Sequence, residues 1–210
     1  SNSVSVSVFM TMLSVKDKVV IVTGAFRGNG FGIAKGLAQE GAIVYSYDPN
    51  YSDGEVNFNN DFYEFKGDVL DSDRFSECCQ KIIDQHHRID ALINNAGITK
   101  PAKDDQQYSD DDWDQTMSIN LTSAFKLSKT VLSFMKEQKK GSIINITSLG
   151  AALGFPNNPA YIASKGGLKM LTKSFAYDAG KYGIRCNNIG PGYMKTDMTK
   201  GSYANEERRE

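Results

Sequence analysis

Short apolar runs alternate along this chain with longer stretches in which apolar residues recur every three or four positions. The short runs predict strands, which we place at Val19–Val22, Ile43–Tyr47, Phe62–Phe65, Ala91–Ile93, Ile143–Ile146 and Ile184–Ile189. The longer stretches predict helices at Gly30–Glu40, Ser72–His87, Asp110–Lys139 and Tyr161–Tyr182. Ser72 is the expected N-cap of the second helix, and Ser109 with Asp112 forms an N-cap pattern for the third.

The predicted strands are mainly apolar, and Val19–Val22 and Ala91–Ile93 form continuous apolar runs without alternating polar residues. Such strands are typical of a sheet whose two faces are both covered by helices. The alternation of strands and helices then predicts the α/β class, with a doubly wound parallel sheet in a single domain. Because right-handed crossovers bring the carboxyl ends of the strands to one edge, we expect ligands to bind at that edge.

Composition and charge narrow the classes of function. The 210 residues suit one domain, and 24 basic against 25 acidic side chains leave a net charge of −1. A dedicated nucleic-acid binder usually has a basic surplus, so we expect no nucleic-acid partner. No apolar run approaches the ~18 residues of a membrane span, so we expect no membrane partner.

Cysteine usage and the N-terminus bear on location. Cys78, Cys79 and Cys186 form neither a disulfide framework nor a zinc-binding pattern, so we expect no metal site and a reducing, cytoplasmic setting. Residues 1–15 lack the pattern of a signal peptide. They are expected to be a disordered or cloning-derived leader, and the domain is expected to span residues 16–210.

The first strand leads into a glycine-rich loop, Thr23-Gly-Ala-Phe-Arg-Gly-Asn-Gly30, that opens a helix. Gly24, Gly28 and Gly30 permit a tight turn and the close approach of a pyrophosphate to the backbone. The helix N-terminus adds free N–H groups and a partial positive charge. In this context the loop predicts dinucleotide binding.

An acid, Asp48, follows the second strand 18 residues after Gly30. A carboxylate at that place can accept both hydroxyls of an adenosine ribose and would repel a 2′-phosphate, which favours NAD over NADP. Arg27 favours NADP instead, because a cation beside the loop can pair with that phosphate. The carboxylate lies where the phosphate would have to go, so we expect NAD as the cofactor.

Six motifs in order resemble the short-chain dehydrogenase/reductase family, over about Lys16 to Met198. They are the loop Thr23–Gly30, Asn-Asn-Ala-Gly at Asn94–Gly97, Asn120 in Ser-Ile-Asn-Leu, Ser148 in Asn-Ile-Thr-Ser, Tyr-x-x-x-Lys at Tyr161 and Lys165, and Pro191-Gly192 with Thr196. Each motif alone is weak evidence. Their order and spacing together identify the chain as a member of that family, which implies a Rossmann fold and an oxidoreductase.

The resemblance implies a set of site residues. The catalytic residues are expected to be Asn120, Ser148, Tyr161 and Lys165. The cofactor is expected to contact Tyr161, Lys165, Gly24, Arg27, Gly28, Gly30, Asp48, Asp68, Val69, Asn94, Ala96, Gly97, Pro191, Gly192, Met194 and Thr196. Family members commonly form homodimers or homotetramers through their two long helices, here Asp110–Lys139 and Tyr161–Tyr182.

The chemistry of Tyr161 and Lys165 can also be argued from their spacing. Residues four apart on a helix share a face. A free tyrosine has a pKa near 10, and a nearby ammonium favours the phenolate. The Tyr161 oxygen can then take a proton from a substrate alcohol, while Ser148 hydrogen-bonds the same substrate oxygen. By resemblance, Lys165 also holds the nicotinamide ribose and Asn120 anchors a proton-relaying water.

The substrate is expected to be a secondary alcohol or ketone. The stretches Ala163–Leu171 and Pro191–Thr199 are similar to those of sugar-acid dehydrogenases such as gluconate 5-dehydrogenase. They favour a polyol, sugar or sugar acid. One alternative is an NADPH-dependent reductase of 3-oxoacyl thioesters, and another is a non-enzymatic dinucleotide sensor on the same fold.

The C-terminal end of the chain departs from the family pattern. Members normally continue after the last motif through a lid helix, another helix and a final edge strand. Here only 14 residues follow Thr196, and they end in Asn205-Glu-Glu-Arg-Arg-Glu210. We therefore expect the lid and the last strand to be missing from this sequence.

Overall fold

A seven-stranded sheet organises the part of the chain that the computed structural model describes, which is residues 14–53, 55–58, 61–103 and 107–192. The strands are β1 (Val19–Thr23), β2 (Ile43–Asp48), β3 (Glu55–Phe58), β4 (Phe62–Lys66), β5 (Ala91–Asn94), β6 (Gly141–Ile146) and β7 (Ile184–Ile189). Their order across the sheet is β3-β4-β2-β1-β5-β6-β7. The order turns back on either side of β1, which confirms the predicted doubly wound topology.

The pairing is parallel except at one edge. From β4 through β2, β1, β5 and β6 to β7, every neighbouring pair is parallel, with Val20 in register with Val44 on one side and Ala91 on the other. The edge strand β3 pairs antiparallel with β4. The sequence did not predict β3, which adds an antiparallel edge strand to the predicted parallel sheet.

Helices cover both faces, as the apolar strands required. They are α1 (Gly28–Gln39), α2 (Ser72–His86), α3 (Asp110–Met117), α4 (Ser123–Gln138) and α5 (Pro159–Ala179). On one face Val19 and Ile21 pack in a core cluster with side chains of α2 and α4. On the other face Val20 and Val22 pack with α1. Because the residues of β1 face the two clusters alternately, Val19, Val20, Ile21 and Val22 are all apolar.

Three predicted helix boundaries needed correction. Helix α1 begins at Gly28, two residues before the predicted start. The N-cap of α2 is Asp71 and not Ser72, because the Asp71 carboxylate accepts the N–H of Arg74 at 2.9 Å. The predicted helix Asp110–Lys139 is divided by a π-helical turn at Ser118–Thr122. Such turns are frequent at functional sites, and this one contains Asn120.

The ends of α5 are set by local chemistry. Proline suits the first position of a helix because its missing N–H is not needed there, and Pro159 begins α5. The helix runs into a 3₁₀ turn, Gly180–Tyr182, which ends at Gly183 with φ of 72°. The predicted span Tyr161–Tyr182 therefore corresponds to α5 and this turn. No helix among the described residues is long and apolar enough to cross a membrane.

Candidate active site

The carboxyl edge of the parallel strands holds the predicted site residues that the structure describes. The glycine loop follows β1, Asp48 ends β2, and Asn94 ends β5. Ser148 follows β6, while Tyr161 and Lys165 lie in the first two turns of α5. The predicted cofactor residues Met194 and Thr196 lie outside the described residues.

Thr23 joins the glycine loop to the segment after β5. Its Oγ1 accepts the N–H groups of Asn95 and Ala96, both at 3.1 Å, and donates to the carbonyl of Ile93 at 3.4 Å. Gly24 has φ of +63°, and a Cβ built on it would lie 2.7 Å from Cα of Ala96. A glycine is therefore required at this crossing of two backbones.

The start of α1 is shaped to receive an anion. Gly28 has φ of +60° and open space where a side chain would be, whereas a Cβ on Gly30 would lie 2.1 Å from the carbonyl oxygen of Gly24. The N-cap residue, Arg27, makes no side-chain cap hydrogen bond, and the first turn holds no acidic residue. The free N–H groups at this N-terminus can therefore bind a pyrophosphate.

Asp48 is buried at the end of β2, and its carboxylate is held in place by three donors. Oδ2 accepts the N–H of Phe26 at 3.2 Å. Oδ1 accepts from the backbone N–H of Asn50 at 2.9 Å and from its Nδ2 at 2.7 Å. A carboxylate offers about four lone-pair positions, so acceptor capacity remains for a ribose hydroxyl.

Arg27, Asp68 and Val69 occupy different environments near this end of the sheet. The side chain of Arg27 is exposed beside the glycine loop. Asp68 is also exposed, and its carboxylate accepts the N–H of Leu70 at 2.9 Å. Val69 is 6% exposed and belongs to the main core cluster. Arg27 is thus free to move toward a ligand, whereas Val69 serves mainly the core.

The Asn-Asn-Ala-Gly segment after β5 has both structural and site-facing members. The Asn94 Nδ2 donates to Ser128 Oγ at 3.0 Å and to Asn145 Oδ1 at 2.8 Å, so the structure places this predicted cofactor residue in a buried network. A Cβ on Gly97 would lie 3.3 Å from Asn120 Oδ1 and 3.4 Å from Lys165 Nζ. Gly97 therefore lies beside two predicted catalytic residues.

Asn120 is buried in the π-helical turn, and its side-chain amide both accepts a hydrogen bond from and donates one to the backbone that follows β5. Its Oδ1 accepts the N–H of Ile98 at 2.8 Å, and its Nδ2 donates to the carbonyl of Ile98 at 2.9 Å. The same Nδ2 donates to Ser164 Oγ at 3.1 Å. These bonds fix the turn relative to both β5 and α5.

The Lys165 ammonium lies in the interior of the site. The residue is 4% exposed, and Nζ donates to the carbonyl of Ile146, the last residue of β6, at 2.8 Å. Nζ also lies 5.8 Å from the centroid of the Tyr161 ring. Burial lowers the pKa of the Lys165 ammonium to about 8, because the charged form loses its hydration.

Tyr161 and Ser148 are the two predicted catalytic residues whose side chains are partly exposed. The Tyr161 carbonyl accepts from Ser164 Oγ at 2.8 Å, and its side chain is partly exposed. Ser148 is also partly exposed and caps a 3₁₀ turn, Leu149–Ala151, by accepting the N–H of Gly150 at 3.1 Å. A cation behind a partly exposed phenol, with a hydroxyl at the same edge, can support proton transfer to or from a substrate.

The Pro191-Gly192 pair lies at the end of the described chain. The carbonyl of Pro191 accepts the N–H of Leu149 at 3.1 Å, which joins this predicted cofactor segment to the turn that Ser148 caps. Gly192 is exposed. This pair therefore lies beside the 3₁₀ turn that Ser148 caps.

Two side chains that organise the site were not among the predicted residues. Asn95 Nδ2 donates to the carbonyls of Thr23 and Gly24, both at 3.0 Å. Ser164 is fully buried and joins Asn120 to the carbonyl of Tyr161. Their positions inside two of the recognised motifs were the available signal, but their partners are more than 40 residues away in sequence.

Comparisons with known proteins agree with this geometry. A family model described as short chain dehydrogenase matches residues 18–207. Gluconate 5-dehydrogenase of Gluconobacter oxydans is 36% identical over 204 residues, which cover 93% of this chain and 78% of that protein. The 3-oxoacyl-[acyl-carrier-protein] reductase of Chlamydia pneumoniae is 36% identical over 193 residues, which cover 89% of this chain and 77% of that protein.

A solved structure extends the comparison to three dimensions. Gluconate 5-dehydrogenase from Burkholderia cenocepacia, in complex with NADP and tartrate, matches the chain with a TM-score of 0.83 at 28% identity. The match covers 93% of this chain and 78% of that one. The fold described above therefore has a close counterpart in that structure.

Proposed function

The chain belongs to the short-chain dehydrogenase family and is an NAD(P)-dependent oxidoreductase acting on CH–OH groups; on that premise we propose that it transfers a hydride between NAD(H) and a secondary alcohol or ketone of the polyol, sugar or sugar-acid class. The observation that carries the catalytic part is the buried Lys165 ammonium, 5.8 Å from the Tyr161 ring and beside Asn120 and Gly97.

In this proposal the nicotinamide, when bound, would supply hydride transfer from or to the carbinol carbon of the substrate. The Tyr161 oxygen takes the hydroxyl proton of the alcohol in the oxidation and gives it back in the reduction. Lys165 favours the phenolate form of that tyrosine by its charge. Ser148 donates a hydrogen bond to the reacting oxygen, where charge develops, and Asn120 fixes the local backbone.

Cofactor binding is assigned to the edge formed by β1, β2 and β5. The open space at Gly28 and the free N–H groups of α1 suit a pyrophosphate. Asp48 would accept the ribose hydroxyls, which supports NAD over NADP. The exposed Arg27 and the NADP bound by the Burkholderia cenocepacia enzyme support the opposite choice. We assign NAD because three hydrogen bonds fix the Asp48 carboxylate in place. The Arg27 side chain, in contrast, makes no hydrogen bond within the described part of the chain.

The sugar-acid assignment is supported by the relatives that carry gluconate dehydrogenase names. The second candidate is reduction of a 3-oxoacyl thioester, which is favoured by the Chlamydia pneumoniae relative at the same 36% identity. The two differ in what they demand of the pocket. Sugar acids need several polar partners, whereas an acyl chain needs apolar walls, of which Leu149 (38% exposed) is one candidate.

A self-association proposal concerns the outer faces of α4 and α5. Phe125 is 44% exposed and stacks on Phe175 at 6.1 Å, while Met170 and Tyr177 on α5 are 60% and 88% exposed. An exposed apolar patch of this kind suits a homodimer or homotetramer. Light scattering would reveal a dimer or tetramer, and a monomer would contradict this assignment.

A cytoplasmic location stays a prediction.

The function is tested by a panel read at the nicotinamide absorbance. Polyols, sugar acids, cyclic alcohols and a 3-oxoacyl thioester are each assayed with NAD(H) and with NADP(H). We expect the highest kcat/KM for a sugar acid or polyol with NAD. In Asp48→Asn the ratio of kcat/KM for NAD to that for NADP should fall about tenfold, since a repulsive charge is removed. A thioester preference with NADPH would establish the second candidate instead.

A further inference from the structure

A short segment after β5, residues 98–103, is hydrogen-bonded to three helical elements. Ile98 exchanges two hydrogen bonds with Asn120 in the π-helical turn. The Lys100 ammonium pairs with the Asp112 carboxylate of α3 at 2.8 Å. The remaining bonds reach the two residues that precede α5. This bridging segment therefore connects the elements that hold Asn120 and Tyr161.

The bonds between the bridging segment and the start of α5 form a clasp. Asn158 Nδ2 donates to Thr99 Oγ1 at 2.7 Å. The N–H of Ala102 donates to the carbonyl of Asn157 at 2.8 Å, and Asn157 Nδ2 donates to the carbonyl of Lys103 at 3.3 Å. Asn157 has φ of +60°, a left-handed conformation that asparagine tolerates better than most residues.

Asn158 is the N-cap residue of α5, but it does not cap the helix. Asparagine is among the best N-cap residues because its side-chain oxygen accepts a free N–H of the first turn. Here no side-chain cap bond is made, and Asn158 Oδ1 is buried without a hydrogen-bond partner. The amide is turned toward Thr99 instead. Asn158 therefore does not cap its own helix and instead bonds to the bridging segment, 59 positions away.

Tyr161 is the third residue of α5 and lies in the turn that this choice leaves uncapped. The first turn of a helix frays most easily, because its N–H groups have no partners within the helix. Lys165, one turn later, is anchored separately by the carbonyl of Ile146. Motion of the first turn would therefore move Tyr161 relative to Lys165.

We propose that Asn158, through its hydrogen bond to Thr99, is a positioning residue for Tyr161, which the preceding subsection assigns as the proton-transferring group. The clasp holds the first turn of α5 against a segment whose other end is bonded to Asn120. It does not contact the reacting atoms. Its loss changes the distance between the phenol and the ammonium and leaves the cofactor site as it was.

The test uses Thr99→Val, Thr99→Ser and Asn158→Ala in the full chain. The control is Thr130→Val on α4, where the lost hydroxyl bonds only the carbonyl of Lys126 in its own helix. Valine keeps the shape of Thr99 without its hydroxyl, and serine keeps the hydroxyl. We expect kcat to fall about tenfold in Thr99→Val and in Asn158→Ala, with the NADH dissociation constant changed by less than about twofold. Thr99→Ser and Thr130→Val should retain kcat.

Two further readouts separate positioning from a general loss of structure. The double variant Thr99→Val/Asn158→Ala should be no slower than either single variant, because both remove one contact. Hydrogen–deuterium exchange should become faster at Ala102 and in the first turn of α5, and stay unchanged in the second half of that helix.

Unchanged kcat in both single variants, with Tyr161→Phe inactive, would overturn the positioning role while leaving the proposed function intact. A parallel fall of kcat and NADH affinity would also overturn it, because the clasp would then be only structural. More than about a tenth of the original kcat in Tyr161→Phe would contradict the proposed function itself. Unchanged hydrogen exchange in Thr99→Val would refute the clasp independently of any activity.

Discussion

The ligand-binding edge of the sheet has two halves that are built differently. The nucleotide half, from Gly24 to Gly30, offers backbone groups and open space, and its glycines are required by close approaches or left-handed φ angles. The half proposed to be catalytic places the partly exposed Tyr161 in front of buried side chains, Asn120, Ser164 and Lys165, that are hydrogen-bonded to one another or to the backbone. Adding an atom should therefore damage the first half, and removing an atom should damage the second.

Tyr161→Phe tests the catalytic half with the largest expected effect. It removes one oxygen and leaves the packing of the ring on α5 unchanged. We expect kcat to fall about 10³-fold, the usual magnitude for a lost general acid–base group. Stopped-flow or steady-state assays measure this fall, and fluorescence titration with NADH measures binding. Because the nucleotide half does not use that oxygen for the phosphates or adenine, the NADH dissociation constant should change by less than about threefold.

The control for this variant is Tyr177→Phe, on the same helix and 88% exposed. It should keep full turnover, since its hydroxyl is not part of the proposed active site. A Tyr161→Phe enzyme with more than about a tenth of the original kcat would remove the basis for the catalytic assignment.

Gly30→Ala tests the nucleotide half by adding one carbon. A Cβ at this position would lie 2.1 Å from the carbonyl oxygen of Gly24 and 2.4 Å from Asn95 Nδ2, so the loop must shift. We expect a loss of about 3 kcal/mol in the free energy of unfolding. NADH binding should weaken as well, because the shift disturbs the loop that would hold the pyrophosphate. Urea unfolding and fluorescence titration measure the two effects.

Gly36→Ala provides the matched control in the same helix. Nothing lies within 4 Å of its Cβ position. Alanine in a helix interior should therefore increase stability by roughly 0.5–1 kcal/mol and leave NADH binding unchanged. If both variants behaved alike, the contrast between a constrained loop and an ordinary helix position would be lost.

The pH dependence of stability tests the buried charge in the catalytic half. Burial lowers the pKa of the Lys165 ammonium from its ordinary 10.5 to about 8. Between these two values the unfolded chain carries a proton that the folded chain has released, so stability rises with pH. Relative to Lys165→Met, the free energy of unfolding of the ligand-free wild type should increase by about 3 kcal/mol from pH 7 to about pH 10.5.

Urea unfolding at several pH values measures this difference. Lys173→Met on the exposed side of α5 should keep the wild-type dependence on pH. A constant difference between wild type and Lys165→Met would indicate that the ammonium is hydrated in the folded protein.

The two halves also differ in how far the sequence could predict them. The glycine loop follows from local rules, because a strand, a run of glycines and a helix lie next to one another in the chain. The pairing of Tyr161 with Lys165 follows equally from helical spacing. The links of Ser164 to Asn120 and of Asn158 to Thr99 join residues 44 and 59 positions apart, and no local pattern specifies them.

Local structure was missed where competing choices are close in energy. Asp71 and Ser72 are adjacent and both good N-caps, so the choice depends on where the chain leaves β4. The π-helical turn at Ser118–Thr122 arises where Asn120 binds the backbone of Ile98, a contact outside the helix. Strand β3 is four residues long, and its antiparallel pairing with β4 supplies the stability that its sequence does not indicate.

The smallest expected effect concerns a helix N-terminus outside both halves. Helix α3 is capped by Ser109, whose Oγ accepts the N–H of Asp112 at 3.1 Å. Three acids occupy the first turn of the helix. Helix α1 has neither a side-chain cap nor an acid at its start. Ser109→Ala should therefore cost about 1 kcal/mol of stability in urea unfolding, with kcat and NADH binding unchanged. In α1, by contrast, the pyrophosphate of NADH should supply the negative charge and the hydrogen-bond acceptors that the helix N-terminus lacks. The free energy of unfolding of the wild type should therefore rise with NADH concentration, while the cost of Ser109→Ala stays constant. A cost that vanished with bound NADH would mean that the cofactor also reaches α3, and the contrast between a helix capped by its own residues and one left open for a ligand would fail.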